Sequence, residues 1–134
     1  ASRQSSIAIS VKGDVMTEHD EQCALFEWAH YQHPDLLRWM FAIPNGGQRN
    51  KIVAARLKQE GVKKGVPDIC LLIPSNGYHG LFIEMKVGHN KLTPEQKQFF
   101  HDATKQGYCC KVAYSADEAI DIIDKYLGHE VSNE

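Results

Sequence analysis

The spacing of apolar residues along this chain changes between the helical period of 3.6 and the strand period of 2. The predicted helices cover residues 17–31, 50–61, 93–107 and 115–127. The predicted strands cover residues 38–44, 69–73, 81–87 and 108–114. The order α-β-α-β-β-α-β-α predicts an α/β fold in which a mixed central sheet is flanked by helices.

Capping residues support the predicted helix ends. Thr17 and Asp20 form an N-cap motif, and residues 93–96 (Thr-Pro-Glu-Gln) and 115–118 (Ser-Ala-Asp-Glu) form capping boxes. Gly61 stands where a C′ glycine ends the helix before it. These signals are local, so the boundaries they predict do not depend on the rest of the fold.

The 134 residues are expected to form one domain over residues 16–134, a length that can bury a core. Residues 1–15 show no helical face and are expected to be a loose tail or a remnant before a natural start at Met16. No apolar run approaches the ~18 residues of a membrane span, and no secretory segment is recognisable. No membrane partner is therefore expected.

Cysteines, histidines and aromatic residues suggest a reduced interior without a nitrogen or sulfur metal site. The four cysteines lack CxxC spacing and are expected to be reduced core residues of a cytoplasmic protein. The seven histidines lack HxxxH and HExxH pairing, so any metal site should use oxygen ligands. The aromatic residues at core spacing, which are expected to pack inside, are Trp28, Trp39, Phe99 and Phe100.

Charged residues interrupt two apolar runs between residues 65 and 88. Asp68 precedes the strand at 69–73, and Glu84 and Lys86 lie within the strand at 81–87. The Asn76-Gly77 pair between these strands predicts a two-residue hairpin turn. A turn centred on Asn76 places Asp68 opposite Glu84, and a turn centred on Gly77 places Asp68 opposite Lys86. Both registers bring the three charged groups together at one end of the hairpin.

Strand alternation separates the two faces of residues 81–87. Phe82, Glu84 and Lys86 share one face, and the other face, which should pack into the core, carries Leu81, Ile83, Met85 and Val87. Two half-buried carboxylates repel unless a cation compensates them, and Mg²⁺ or Mn²⁺ prefers such oxygen ligands. The alternative is a buried Asp/Glu–Lys salt bridge that only closes the sheet. Pro67, which fixes the approach to Asp68, favours catalysis.

Basic residues are concentrated upstream of this hairpin. Residues 38–66 carry seven basic side chains and one acidic side chain, so this segment has a charge of +6 in a chain whose net charge is −2. Such asymmetry is typical of a surface that faces phosphate, and a solvated face without function is the alternative.

Five sequence blocks in order resemble the VRR-NUC (virus-type replication-repair nuclease) domain of the PD-(D/E)xK nuclease superfamily. They are residues 17–22 (TEHDEQ), 43–49 (IPNGGQR), 65–68 (GVPD), 80–86 (GLFIEMK) and 92–96 (LTPEQ). The resemblance covers about residues 17–127 and implies a restriction-endonuclease-like core with Mg²⁺- or Mn²⁺-dependent cleavage of DNA.

The resemblance also implies roles for individual residues. Asp68 and Glu84 would be metal ligands, with the Met85 backbone carbonyl as a candidate third, and Lys86 would be the catalytic lysine. The family has an acidic residue in its first helix that is followed four residues later by glutamine, and this acidic residue matches Glu18. Glu21, one turn further along the helix, could take the place of Glu18. The family's helical glutamine matches Gln96. By themselves, an acid in a first helical turn and a glutamine in a capping box also have purely structural explanations.

The expected substrate is branched DNA. Stand-alone members of phage and bacterial type resemble homodimers that cut four-way junctions, which implies a Holliday-junction resolvase in the cytoplasm of a bacterium or a phage-infected cell, without a small-molecule cofactor. Residues expected to contact DNA are Asn45, Gln48, Arg49, Lys51, Lys63 and Lys64. The alternatives are a nuclease for flaps, splayed arms or DNA ends, and a DNA-binding module without cleavage.

Overall fold

A computed structural model describes residues 16–44 and 50–129. The helices are α1 (Glu18–Gln32), α2 (Lys51–Gln59), α3 (Pro94–Lys105) and α4 (Ala116–Leu127). The strands are β1 (Met40–Ala42), β2 (Ile69–Leu71), β3 (Leu81–Met85) and β4 (Cys109–Ala113). A short 3-10 helix, Pro34–Arg38, joins α1 to β1. The predicted order of helices and strands is confirmed.

The four strands form one mixed sheet in the order β1-β2-β3-β4. Strands β1, β2 and β3 pair antiparallel, whereas β3 and β4 pair parallel. The parallel pair requires a crossover, which helix α3 supplies between the two strands. The predicted mixed sheet flanked by helices is therefore confirmed.

The two faces of the sheet are covered by different helices. On one face, Leu81, Ile83 and Met85 of β3 are fully buried and form the core with α1 and α4. On the other face, the Phe82 ring meets the Phe99 ring of α3 edge to face, 5.1 Å between centroids. The face that carries Glu84 is therefore covered by α3.

The strand predicted at residues 38–44 is shorter than expected. Pro34 begins the 3-10 helix, and the Trp39 N–H donates to the carbonyl of Leu36. Trp39 is therefore not a core residue, which corrects the prediction: it is 45% exposed, and the Arg38 guanidinium lies 5.8 Å from its ring centroid. Met40, on the other face of the edge strand, is buried instead.

Two smaller expectations also need correction. Cys23 is not a core residue, because it lies on the exposed side of α1, where its Sγ is 3.5 Å from His19 Nε2. The predicted capping box at 115–118 is only half formed: Ser115 Oγ accepts from the Glu118 N–H, but the Glu118 carboxylate accepts from the Tyr114 N–H.

Some expectations fall outside the described residues, namely the tail at 1–15 and the turn at 45–47. Within the described ranges, no helix combines the length and the apolar character that crossing a membrane requires.

Candidate active site

The β2–β3 hairpin brings Asp68 and Glu84 together. Asn76 and Gly77 both have positive φ angles, 54° and 86°, as a two-residue type I′ turn requires. Ile69 pairs with Ile83, so the same register places Asp68 opposite Glu84. Of the two predicted registers, the structure has the one that pairs the two carboxylates.

Backbone hydrogen bonds hold Asp68 in position. Its Oδ2 accepts from the Met85 N–H at 2.9 Å, and its carbonyl accepts from the Ile43 N–H at 2.7 Å. Pro67 before it is fully buried. Because Met85 directly follows Glu84, the first bond also fixes the Asp68 carboxylate beside the Glu84 side chain.

Glu84 is 4% exposed, which is unusual for a carboxylate. Its Oε2 accepts from Gln96 Nε2 at 3.0 Å and lies 3.8 Å from Lys86 Nζ. Its Oε1 is buried and has no hydrogen-bond partner among the residues that the structure describes. A buried polar atom without a partner costs free energy. This oxygen is therefore free to accept a hydrogen bond from a ligand or to bind a cation.

The environment of Glu84 opposes its negative charge. Burial, followed by the neighbouring Asp68 carboxylate, raises the pKa of Glu84 to about 8, although the Lys86 ammonium acts in the opposite direction. The charge of Glu18 raises this pKa further. The site therefore has an excess of negative charge that one ammonium group does not compensate.

Gln96 contacts both the helix N-terminus and the candidate site. Its backbone N–H donates to Thr93 Oγ1, and its Oε1 accepts from the Thr93 N–H, which completes the predicted capping box of α3. The other end of the same amide, Nε2, donates to Glu84. The capping box thus orients the amide that Glu84 contacts.

The structure separates the two candidate acids of α1. Glu21 is buried, and its Oε1 accepts from the Ala116 N–H at 2.8 Å, at the N-terminus of α4. Glu18 is partly exposed in the first turn of α1 and lies close enough to raise the pKa of Glu84. Glu21 is already used to join two helices, which favours Glu18 as the acid of the site.

The candidate DNA-binding residues fall into two groups. Asn45, Gln48 and Arg49 lie outside the described residues, whereas the exposed described ones are Lys51, Lys63 and Lys64. Gly65, directly after the two loop lysines, has a φ of 88° and packs so closely on the first turn of α3 that a Cβ would lie 2.5 Å from the Glu95 carbonyl oxygen. This contact holds the basic loop next to Gln96.

The donor set fits a hard divalent cation. Asp68, directly before β2, and Glu84, on β3, supply carboxylate oxygens, and Glu84 Oε1 is buried without a hydrogen-bond partner in the described part of the chain. Such oxygens are the ligands that Mg²⁺ and Mn²⁺ prefer, and a divalent charge would reverse the effect that raises the pKa of Glu84. Lys86 forms a buried salt bridge with Glu84, but its single positive charge does not balance the two carboxylates of Glu84 and Asp68.

The raised pKa of Glu84 predicts that the metal-free domain loses stability as the pH rises. The unfolded chain releases this proton near pH 4.5 and the folded chain near pH 8. Between these values the folded state binds more protons, so the free energy of unfolding falls with pH. Glu84→Gln should remove this loss and raise the free energy of unfolding at pH 8 by up to about 4 kcal/mol, but have little effect at pH 4.5.

Urea unfolding in EDTA at pH 4.5, 6 and 8 measures this difference. Glu27→Gln is the matched control, because Glu27 is an exposed glutamate of α1. An equal pH dependence in wild type and Glu84→Gln would show that another group titrates.

Comparisons with known proteins identify the family. The family model described as "VRR-NUC domain" matches residues 16–117. A solved structure described as "VRR_NUC domain protein" is 33% identical in sequence and has a TM-score of 0.75; the match covers 86% of this chain and 91% of that one. No curated protein matches this chain. These matches confirm the resemblance read from the sequence, and the chain belongs to the VRR-NUC domain family of PD-(D/E)xK-type nucleases.

Proposed function

We propose that this nuclease domain is a Mg²⁺- or Mn²⁺-dependent endonuclease that cuts branched DNA, with four-way junctions as its substrate. The observation that carries the metal dependence is the pair Asp68 and Glu84, whose buried Oε1 has no partner among the described residues. The preference for junctions rests on the family and on the exposed apolar surface described below.

Asp68 and Glu84 would hold the ion, with Glu18 and the Met85 carbonyl as further ligands. When bound, a divalent ion polarises the scissile phosphate and lowers the pKa of a coordinated water. Gln96 keeps the Glu84 carboxylate in place through a 3.0 Å hydrogen bond. The Asp68 carboxylate is kept in place by the Met85 N–H.

Lys86 would supply a fixed positive charge next to the reacting phosphate. Its ammonium is only 3.8 Å from Glu84 and is largely shielded from solvent, so its field acts in a medium of low dielectric. A fixed ammonium in this position would orient the attacking water or offset negative charge that develops in the transition state.

The basic segment would bind the DNA backbone. Its described and exposed side chains are Lys51, Arg56, Lys58, Lys63 and Lys64. The last two lie in the loop that Gly65 docks on α3, next to Gln96 of the site. Lysine and arginine contacts to phosphate carry no sequence preference, as expected for a nuclease that recognises the shape of DNA.

The exposed apolar residues support a homodimer. On the edge half of the sheet, Trp39 is 45%, Phe41 42% and Leu72 51% exposed, and β1 is an edge strand. On α2, Ile52 and Val53 are also exposed. A second copy of this chain would cover such surfaces, and a two-fold axis would present two sites to the arms of a junction.

Cleavage assays on four-way-junction, flap, splayed-arm and linear duplex DNA, with Mg²⁺, Mn²⁺ or EDTA, test this proposal. Light scattering on the same sample gives its mass in solution. We expect a dimer that cuts the junction fastest and is inactive in EDTA. A monomer that prefers flaps or ends would show the alternative nuclease, and binding without cleavage in either metal would show a DNA-binding module.

Replacing Lys63 and Lys64 by glutamine should weaken DNA binding about equally for all sequences. If each lysine neutralises one phosphate, the slope of log K against log salt should fall by about 2. Affinity titrations between 50 and 300 mM salt measure that slope.

The matched control replaces Lys111 and Lys125, exposed lysines of β4 and α4, which has the same effect on net charge. If both double variants change the slope equally, the effect comes from net charge, and the loop does not contact DNA.

A further inference from the structure

Two histidines and one aspartate meet at the C-terminal ends of α1 and α4. His33 follows the last residue of α1, Asp124 lies in the last turn of α4, and His129 lies two residues beyond α4. One ligand atom from each residue lies within 4.8 Å of the others. Histidines at short spacings do not indicate this group, because His33 is far from the other two residues in the chain.

The end of α4 fixes Asp124 relative to His129. Gly128 is left-handed, with a φ of 77°, and the His129 N–H donates to the Asp124 carbonyl at 2.8 Å. The Gly128 N–H donates to the Lys125 carbonyl. This is a Schellman motif, which folds the chain back over the last turn of a helix. It brings His129 Nδ1 to 3.4 Å from Asp124 Oδ1.

The end of α1 holds His33 against the same spot. The His33 N–H donates to the Ala29 carbonyl at 2.9 Å, and its ring lies 5.2 Å from the ring of the buried Trp28. The His33 and His129 rings are stacked, 5.4 Å between centroids and 21° between planes. All three side chains are therefore placed by helix ends or packing, and His33 and Asp124 are partly buried.

We propose that His33, Asp124 and His129 form a Zn²⁺ site. Two imidazole nitrogens and a carboxylate oxygen suit this ion, and metal bonds of about 2.0–2.2 Å in a tetrahedron set ligand atoms roughly 3.3 Å apart. The 3.4 Å separation between His129 and Asp124 already matches this distance. Water would complete the tetrahedron. Mg²⁺, which prefers oxygen ligands, should not compete.

The site is separate from the nuclease centre. Glu18 and His33 lie at opposite ends of α1, whose 15 residues span about 22 Å. A metal that joins the ends of α1 and α4 closes a link between two helices of the core, so it stabilises the folded state without a part in cleavage. This proposal does not depend on the proposed substrate or on the metal of the nuclease centre.

Calorimetric titration of the metal-free, untagged chain with Zn²⁺ tests the site. The titration is made on Glu84→Gln with millimolar Mg²⁺, so that the nuclease centre does not take up Zn²⁺. We expect one ion per chain, bound with a micromolar or lower dissociation constant. Cobalt(II) in place of Zn²⁺ should show the visible absorption of a tetrahedral complex, and saturation with Zn²⁺ should raise the melting temperature by roughly 5 °C or more.

Three variants in this background identify the ligands. His33→Ala, His129→Ala and Asp124→Asn should each weaken Zn²⁺ binding at least 10-fold and abolish the rise in melting temperature. His30→Ala is the matched control, because His30 is exposed in the last turn of α1 and should bind Zn²⁺ like the parent. In the otherwise wild-type chain, the same substitutions should leave cleavage in Mg²⁺ unchanged.

Two results would overturn the proposal. One is that the Glu84→Gln chain, the parent of the three variants, takes up no Zn²⁺ in the presence of Mg²⁺. The other is a set of folded variants that bind Zn²⁺ as tightly as the parent, and if His33→Ala does not fold, His129→Ala and Asp124→Asn decide. Either result would leave the His129–Asp124 hydrogen bond and the His33–His129 ring contact as interactions that only join the helix ends.

Discussion

Glu84→Gln should reduce DNA cleavage at least 10³-fold, although the side chain keeps its shape and its hydrogen-bond partner Gln96. The reason is the loss of one of two carboxylates that would bind the ion, together with the buried oxygen that has no partner in the described chain. Because a divalent ion held here would lower the pKa of a coordinated water and stabilise the transition state, a weaker site would lose both effects. Single-turnover cleavage of a labelled four-way junction in Mg²⁺ measures the loss.

The same variant should bind junction DNA with nearly wild-type affinity in EDTA. Its fold should also be intact, since the raised pKa of Glu84 means that the charge is unfavourable for folding at neutral pH. Glu27→Gln, an exposed change of the same kind on α1, should cleave like wild type. Glu84→Gln that cleaves at the wild-type rate would remove this residue from the active site and contradict the proposed metal centre.

Lys86→Ala should lower the single-turnover rate by about 10²–10³-fold while metal binding persists. The ammonium lies 3.8 Å from Glu84 in a site that is largely closed to solvent, so its charge acts on the reacting groups with little screening. Its removal also eliminates the one described cause that lowers the pKa of Glu84. Mn²⁺ binding by the variant should therefore weaken near pH 7 and recover at the higher pH at which Glu84 ionises.

This pH dependence separates two roles of Lys86. If the lysine acts only by keeping Glu84 ionised, raising the pH until Mn²⁺ binding recovers should restore cleavage together with metal binding. If it contributes to the transition state, metal binding recovers and cleavage stays low, which is the result we expect. Lys125→Ala, an exposed lysine in the last turn of α4, is the control for the loss of one positive charge.

The network of Asp68, Glu84, Lys86 and Gln96 has a cost in stability that the proposed metal site would explain. Charged groups in a buried position are rarely better for folding than apolar residues of similar size. Here the carboxylate of Glu84 carries both the unfavourable charge and the oxygen without a partner among the described residues, and the same carboxylate would contact a cation. The cost in stability and the proposed chemistry therefore have a common origin.

Features that depend on neighbouring residues were determined by the sequence. The capping boxes of α1 and α3 formed as predicted, because each needs only a side chain and a backbone N–H three residues away. The Asn76-Gly77 turn formed for the same reason, since both residues tolerate positive φ. With strand alternation, these local rules predicted that Glu84 and Lys86 share a face and that Asp68 joins them.

Features that depend on distant parts of the chain were decided by the tertiary structure. Trp39 is exposed because it ends the 3-10 helix beside β1, at the edge of the sheet, whereas its spacing resembled that of a core residue. The separation of Glu18 from Glu21 depends on where α4 begins, 95 residues after Glu21. His33 likewise meets Asp124 and His129 only because α1 and α4 pack side by side. A single sequence contains the residues of such contacts, but their distances are set by packing, which no local rule encodes.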